Sequence, residues 1–450
     1  MAEQTEKKLF YRTVFALLIP MALQNLINVG ISSIDVIMLG RVGEKVLSGA
    51  SLGSQVQFIM SLILFGLTSG SSVLIAQYWG KGDKDSIATV FGMAMKMAAL
   101  VGIFFMVFTE WMLDKIMKIF TNDTEVIAQG VLYLRIVAVS YAISAVTMVY
   151  LNTMRGMERV AVATVTYLIS MMTNIVVNGL LIFGLFFFPK MGVEGAAIGT
   201  LLARIAELLV VIFYNWKKND VLAFRISFLF RKDKLLFRDF LKYSVPVVFN
   251  ELMWGAGVSM IAAILGHMGS SAVAANSVAQ VVRQLATVVA FGVSSTTAIL
   301  IGKVIGEGKL DMAKEYGRRF RRLSIITGLI GAAVVLLARP IVMQAFTLSE
   351  EARGYLGIMM LIMSYFVVGQ SYNTTLIVGI FRGGGDTLFG LILDVSVMWG
   401  ISILFGAVGA FVFRLSVPLV YMILLSDEVI KIPITTWRYR TYRWLQDVTR

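Results

Sequence analysis

The nine residues LLIPMALQN, Leu17–Asn25, recur in outline as YSVPVVFNE, Tyr243–Glu251, with Pro20 matching Pro246 at an offset of 246 − 20 = 226. The same offset, held without a gap, sets Gly40 on Gly266, Gly43 on Gly269 and Gly66 on Gly292. It also sets Gly80 on Gly306, Gly82 on Gly308 and Asp85 on Asp311. Seven identities at one offset mark an internal duplication. Farther on, NTMRGMER (Asn152–Arg159) resembles GIFRGGGD (Gly379–Asp386), and Glu207 and Trp216 pair with Glu428 and Trp437. The sequence is therefore read as two halves, residues 1–216 and 243–450, joined by a basic linker over 217–242.

What repeats is a membrane unit. The chain is 58% hydrophobic and 15% charged, with mean hydropathy +0.81, too little polar surface for a soluble domain of 450 residues. Of twelve apolar runs, nearly all can supply the roughly 20 residues of a spanning helix. In the first half they are Val14–Leu39, Leu47–Gln77, Val90–Phe108, Gly130–Met154, Val160–Phe188 and Val193–Trp216. In the second they are Ser244–Gly266, Ala272–Gly302, Leu323–Leu337, Tyr355–Phe381, Leu388–Ala407 and Val408–Thr436. Leu323–Leu337 is short, so its helix is expected to begin among the preceding arginines. The fold class is an all-α membrane protein of about twelve spans in two pseudo-symmetric six-helix lobes. Six spans per half leave both halves in one orientation, as parallel repeats of secondary transporters are.

The net charge of +13 is not a nucleic-acid footprint. Lys217, Lys218, Arg225, Arg231, Lys232, Lys234, Arg238 and Lys242 crowd one loop, and Lys303, Lys309, Lys314, Arg318, Arg319, Arg321 and Arg322 another. Alternating loops carry few cations, the positive-inside pattern, which puts both termini in the cytoplasm of a multi-pass cell-membrane protein. Lys7, Lys8 and Arg12 precede the first run, but it is too long for a cleaved signal peptide and lacks a small-residue cleavage site. No cysteine removes disulfides, thiolate chemistry and most soft-metal sites. GEGKLD (Gly306–Asp311) does not make a phosphate loop, which would need Gly at Lys303 and Ser or Thr at Leu310. With no nucleotide motif, transport must draw on an ion gradient. No cofactor is expected, and the expected partners are a small-molecule substrate and the bilayer, for a chain acting as a monomer.

The pattern P-x14-D-x4-G-x2-G from Pro20 to Gly43, its echo from Pro246, the Arg-Gly motifs and MGVEGAAIGT (Met191–Thr200) resemble the multidrug and toxic compound extrusion (MATE) family. The resemblance covers about residues 10 to 440. It implies a V-shaped pair of six-helix lobes that exchange organic cations or other xenobiotics for Na⁺ or H⁺.

Polar residues inside the spans are the candidate site. Asp35 lies in a run with no ionised residue back to Arg12, and an intramembrane carboxylate reads as functional. Its repeat partner is Ile261 (261 − 226 = 35), so the scaffold does not need the charge. The plainer alternative is an acid reaching the interface a few residues from Gly40. Asn174 and Asn178 stand four apart on one helix face. With Thr200 and Asp35 they match the family's amino-lobe cation site. A carboxylate, two amide oxygens and a hydroxyl are hard ligands suited to Na⁺ or a shared proton, and no other metal site is expected. Interhelical hydrogen bonding is the plainer role for the amides.

A second acidic or substrate site is expected around Glu251, Trp254, Asp386 and Gln24. Sodium-coupled NorM-type relatives carry a helix-seven carboxylate eight residues after the shared proline. That position is Trp254 here, with Glu251 three residues earlier. Asp386 matches a tenth-helix carboxylate of the same relatives, though after three glycines it also reads as the cap of a turn. Asp394, Glu207, Glu428 and Lys431 are deeper polar residues, and Glu428 and Lys431, three apart, are expected to neutralise each other. Twenty-six methionines suit a cavity that repacks around varied ligands, although packing accounts for most of them. His267, the lone histidine, is assigned no role. Two rival functions remain. A lipid-linked oligosaccharide flippase would line its cavity with cations such as Arg204, Arg283, Arg135 or Arg414. An intramembrane enzyme would need a nucleophile–base set that one histidine and no cysteine hardly provide.

Overall fold

The computed structural model describes residues 2–217, 219, 222–345 and 348–450, with side chains from Glu6 onward; Lys218 of the basic linker lies outside the described residues. Most of those residues are helical, and none is in a strand. The first half contains α1 (Ala2–Val42), α2 (Glu44–Lys81), α3 (Lys84–Phe120), α4 (Thr124–Val137), α5 (Val139–Gly156), α6 (Val160–Phe183) and α7 (Val193–Lys217). After a short 3₁₀ turn, Ile226–Phe230, come α8 (Lys234–His267), α9 (Ser270–Gly306), α10 (Leu310–Ala345) and α11 (Glu350–Thr374). The chain ends with α12 (Thr387–Val397), α13 (Leu404–Phe411), α14 (Val417–Leu424) and α15 (Asp427–Arg440). π-helical turns, Thr375–Phe381 and Met398–Ile403, continue α11 and join α12 to α13.

Among the described residues ten helices are long and apolar enough to cross a membrane, or eleven when α4 and α5, bent by 49° at Ala138, count as one. The shortfall from twelve lies at the end of the chain. The run Val408–Thr436 is not one helix: it breaks after Phe411 and again at Leu425–Ser426, leaving α14 and α15 as short pieces. The second piece carries buried charge, Asp427 and Lys431, which lowers its apolar character. The short run Leu323–Leu337 does sit in a longer helix, which starts at Leu310 and takes in the preceding arginines.

Boundaries follow local chemistry. Asp83 caps α3 by accepting from the Ser86 amide, and Asp123 caps α4 by accepting from the amides of Glu125 and Val126. The Lys45 ammonium also donates to Asp123, and this bond first, with the amides, holds that carboxyl below its ordinary range. The duplicated glycines Gly82 and Gly308 both take the left-handed conformation, φ +80° and +75°, and turn the chain after α2 and α9.

By packing, the chain forms two compact units, residues 1–22, 76–82 and 245–450 in one and 23–75 and 83–244 in the other. This division cuts α1 after Ala22 and α2 after Ile75, whereas the duplication divides the chain between whole helices. In the first unit the end of α2 crosses α9 at two glycines related by the repeat. A Cβ on Gly80 would collide with the Lys303 carbonyl, and one on Gly306 with the Gln77 carbonyl. Because 303 − 77 equals 306 − 80, each helix offers its glycine to the equivalent carbonyl of the other, a close approach of the small-residue kind. Gln77 fastens the same place, donating to Gly383 O and Gln446 O and accepting from the Val448 amide at 2.8 Å. In the second unit the linker's 3₁₀ turn lies against α3. Gly92 admits the Phe228 carbonyl, and Arg231 donates to Asp85 Oδ1 at 3.1 Å.

Candidate functional site

Three helices of the 23–244 unit bring four polar residues together. Asp35 is on α1, two turns before its end. Asn174 and Asn178 lie one turn apart on α6, and Thr200 stands in the third turn of α7. The α6–α7 connection can be short because Gly184 and Gly192 take positive φ, +68° and +56°. The Asn178 amide nitrogen donates to Asp35 Oδ1 at 2.6 Å and to Asn174 Oδ1 at 3.2 Å, so one NH₂ serves both neighbours. Asn178 Oδ1 is buried and has no hydrogen-bond partner among the described residues. It sits over Gly199, where a Cβ would stand 3.0 Å from Asn178 Cγ and closer still to the oxygen.

Asp35, Asn174 and Thr200 line a cavity of about 380 Å³ together with Tyr133, Ser170 and Arg204. Asp35 is half-buried and makes no ion pair among the described residues. The arginine on the cavity wall is already engaged: Arg204 Nη1 lies 2.5 Å from Glu207 Oε1, one turn along α7. Asp35 is thus held by a neutral amide while its cationic neighbour answers to another acid. Sequence reading missed Gly199, Tyr133 and Ser170. Gly199 directly precedes Thr200, and Ser170 is four residues before Asn174 on the same face of α6, so both lay within reach of the motif. Tyr133 carried no such signal.

Gln24 is buried and bridges helices at the opposite end of α6, donating to Val160 O at 3.2 Å and Thr164 Oγ1 at 2.7 Å. It lies away from the cavity: Thr164 and Asn178 are 14 residues apart, about 21 Å along a helix.

The other predicted acids belong to the 245–450 unit, where each pairs with a different arginine. Glu251 accepts from Arg382 at 2.6 Å, both side chains nearly out of solvent. Asp386, beginning α12, accepts from Arg438 Nε at 2.7 Å. Trp254 lines a narrow crevice with Asn250, Asp394 and Trp399, and the Asn250 amide donates to Asp394 Oδ2 at 3.1 Å. Lys431 collects three carboxylates: Asp394 and Asp427 at 2.9 Å each and Glu428 at 3.7 Å. The expected Glu428–Lys431 pair is therefore one edge of a larger cluster, in which Asn373 also donates to Glu428 Oε2 at 2.7 Å. Of the arginines considered for a flippase, Arg204 reaches the Asp35 cavity, while Arg135 and Arg414 are exposed. Among the described residues no group of three or more His, Cys, Asp or Glu is arranged to hold a metal ion. The Asp35 set, with one carboxylate, amides and a hydroxyl, is a different kind of site, suited to hard monovalent ions.

The MatE family model matches this chain twice, over residues 20–180 and 246–432, and the two matches begin 246 − 20 = 226 residues apart. Among curated proteins the chain is 24% identical over 407 residues to the probable multidrug resistance protein YoeA of Bacillus subtilis, covering 89% of this chain and 87% of that one. It is 24% identical over 395 residues to the probable multidrug resistance protein NorM of Thermotoga maritima, covering 86% and 83%. Among solved structures, a MOP superfamily transporter from Pyrococcus furiosus superposes with TM-score 0.87 at 20% identity, over 95% of each chain. A crystal structure of MATE in the bent conformation gives 0.86 at 19% identity, over 96% of this chain and 95% of that one. The chain belongs to the MATE family of transporters.

Proposed function

We propose that this MATE transporter is an ion-coupled antiporter, exporting organic cations or other xenobiotics across the cytoplasmic membrane in exchange for Na⁺ or H⁺. Residues 1–216 and 243–450 form its two lobes, the basic linker and both termini face the cytoplasm, and the chain acts as a monomer. Asp35 is the group the ions share. The observation that carries this reading is the state of that carboxylate, which lines a cavity and is held by Asn178 without an ion pair among the described residues.

The chemistry follows from the setting. A carboxyl out of water holds a proton more readily than one in water, and releases it when a cation arrives beside it. Proton, Na⁺ and organic cation therefore compete for one group. Asn174 and Thr200 supply neutral oxygens on the cavity wall that complete a cation's shell without cancelling its charge, while Asn178 positions the carboxylate through its amide hydrogens. Glu207 matters indirectly: by occupying Arg204 it keeps a guanidinium from taking the place of the transported cation. Competition alone moves nothing, because the ion must favour one conformation of the transporter over another. The same Arg204–Glu207 pair weakens the flippase reading, since a neutralised arginine offers little to a phosphate.

The test is flux of a fluorescent organic cation in proteoliposomes under Na⁺ or H⁺ gradients imposed one at a time, without ATP. One of the two gradients should drive flux in the native protein. Asp35→Asn, which keeps size and hydrogen bonding but deletes the charge, should insert normally and lose it. Full gradient-driven flux in Asp35→Asn would end the proposal.

A further inference from the structure

On the wall of the 23–244 unit a second cavity, about 690 Å³, opens between α3, α5 and α7 under the start of the linker. Its chemistry is graded along the helix axes. At one end stand Lys96, Asn215 and Trp216; at the other Leu100, Ile103 and Leu208. On α3 the lining runs from Met95 to Ile103 and on α7 from Leu208 to Trp216, a rise of eight residue steps in each case, about 12 Å of depth. Leu100, Ile103, Ile212 and Trp216 are exposed, as residues facing lipid are in helices that cross a membrane. The indole of Trp216 carries the Lys217 ammonium 4.9 Å from its ring centroid, the kind of aromatic–cation pair found at a membrane interface.

Lys96 decides what such a groove accepts. It is exposed, sits in an otherwise apolar stretch of α3, and makes no ion pair among the described residues. An ammonium with no carboxylate partner among the described residues, at the mouth of an apolar slot, repels a lipophilic cation and attracts an amphiphile with an anionic head. The polar end also adjoins the basic linker, where Arg225 is exposed beside Phe224 of the cavity wall. We propose that this groove is a binding site for an anionic phospholipid of the adjoining leaflet. The phosphate sits at Lys96 with Trp216 beside it, and an acyl chain runs between α3 and α7 toward Ile103 and Leu208. The site is separate from the Asp35 cavity: the two share no lining residue.

The experiment uses the full chain in proteoliposomes with trace phosphatidylglycerol carrying a photoactivatable acyl chain, against phosphatidylcholine with the same chain. Labelled peptides are mapped by mass spectrometry. In the native protein, peptides spanning 95–103 and 208–216 should take up phosphatidylglycerol about fivefold over phosphatidylcholine, the ratio that one cationic contact with an anionic head confers. Lys96→Gln should bring that ratio to about one, Lys96→Arg should keep it, and Ala99→Phe, which fills the groove, should lose label from both lipids. Equal labelling by the two lipids in the native protein would overturn the proposal. So would an unchanged ratio in Lys96→Gln, or displacement of the phosphatidylglycerol label from these peptides by tetraphenylphosphonium.

Discussion

Adding one methyl group at Gly199 tests the Asp35 site without changing the chemical identity of any residue proposed to form it. The Cβ of Gly199→Ala would stand 3.0 Å from Asn178 Cγ and overlap its oxygen. Ordinary contact requires the amide oxygen to give by about 1.5 Å. The end of a side chain can do this at small cost in stability. The bond from Asn178 to Asp35, now 2.6 Å, cannot follow it and stay well formed. A hydrogen bond to a charged group is worth about 1.5–3 kcal/mol, so the coupling-ion concentration that half-saturates transport should shift by about 10- to 100-fold. The assay is the half-saturating concentration of the coupling ion for gradient-driven efflux, read beside the thermal melting temperature of the purified protein. A large shift in the first with little in the second is expected. Unchanged ion dependence in a folded Gly199→Ala would show that the Asn178–Asp35 contact takes no part in ion binding.

Three further outcomes are expected. Gly80→Ala and Gly306→Ala each push a Cβ into a backbone carbonyl and should cost about 1–3 kcal/mol, seen as lower melting temperatures, whereas Gly266→Ala, with nothing within 4 Å, should be near neutral; equal effects at all three positions would refute the crossing as described. Lys431→Met removes the cation from among Asp394, Asp427 and Glu428 and should destabilise by about 3–5 kcal/mol, measured as lost monodisperse protein after mild heating, and a native-like melt would count against a structural role for the cluster. Asp394→Asn leaves Lys431 with two acids and should impair gradient-driven flux less than Asp35→Asn; the reverse order would move the coupling site to the 245–450 unit.

The duplication, the membrane class and the family were legible because each is written in many residues at a fixed spacing or a sustained composition. The grouping of Asp35, Asn174, Asn178 and Thr200 was legible because Asn174 and Asn178 share a helix face and the rest followed the resemblance. What could not be read was set by single contacts between distant segments. Glu251 takes Arg382 and Asp386 takes Arg438, across 131 and 52 residues. Nothing in hydropathy fixes such partners. The break in the last apolar run was hidden for a related reason. Val417–Leu424 is as apolar as any span, but Asp427 and Lys431 just beyond it are buried, pair with each other and through Lys431 with the half-buried Asp394, and turn the chain's end into a charged cluster.

Those pairings sort the acids into two kinds, and the sorting carries more than their positions do. Glu207, Glu251, Asp386, Asp394, Asp427 and Glu428 each have an arginine or lysine nitrogen within 4 Å. A carboxylate so placed is costly to uncouple, since its partner would be left charged in a poor solvent. It suits a fixed structure and resists exchange with a passing ion. Asp35 has an amide instead. An amide stays neutral whether the carboxyl beside it is ionised, protonated or loaded with a cation, so the cost of switching among those states is low. That difference, and not depth in the membrane, is why we assign the proposed exchange to a single acid near the end of α1 and not to the richer cluster around Lys431.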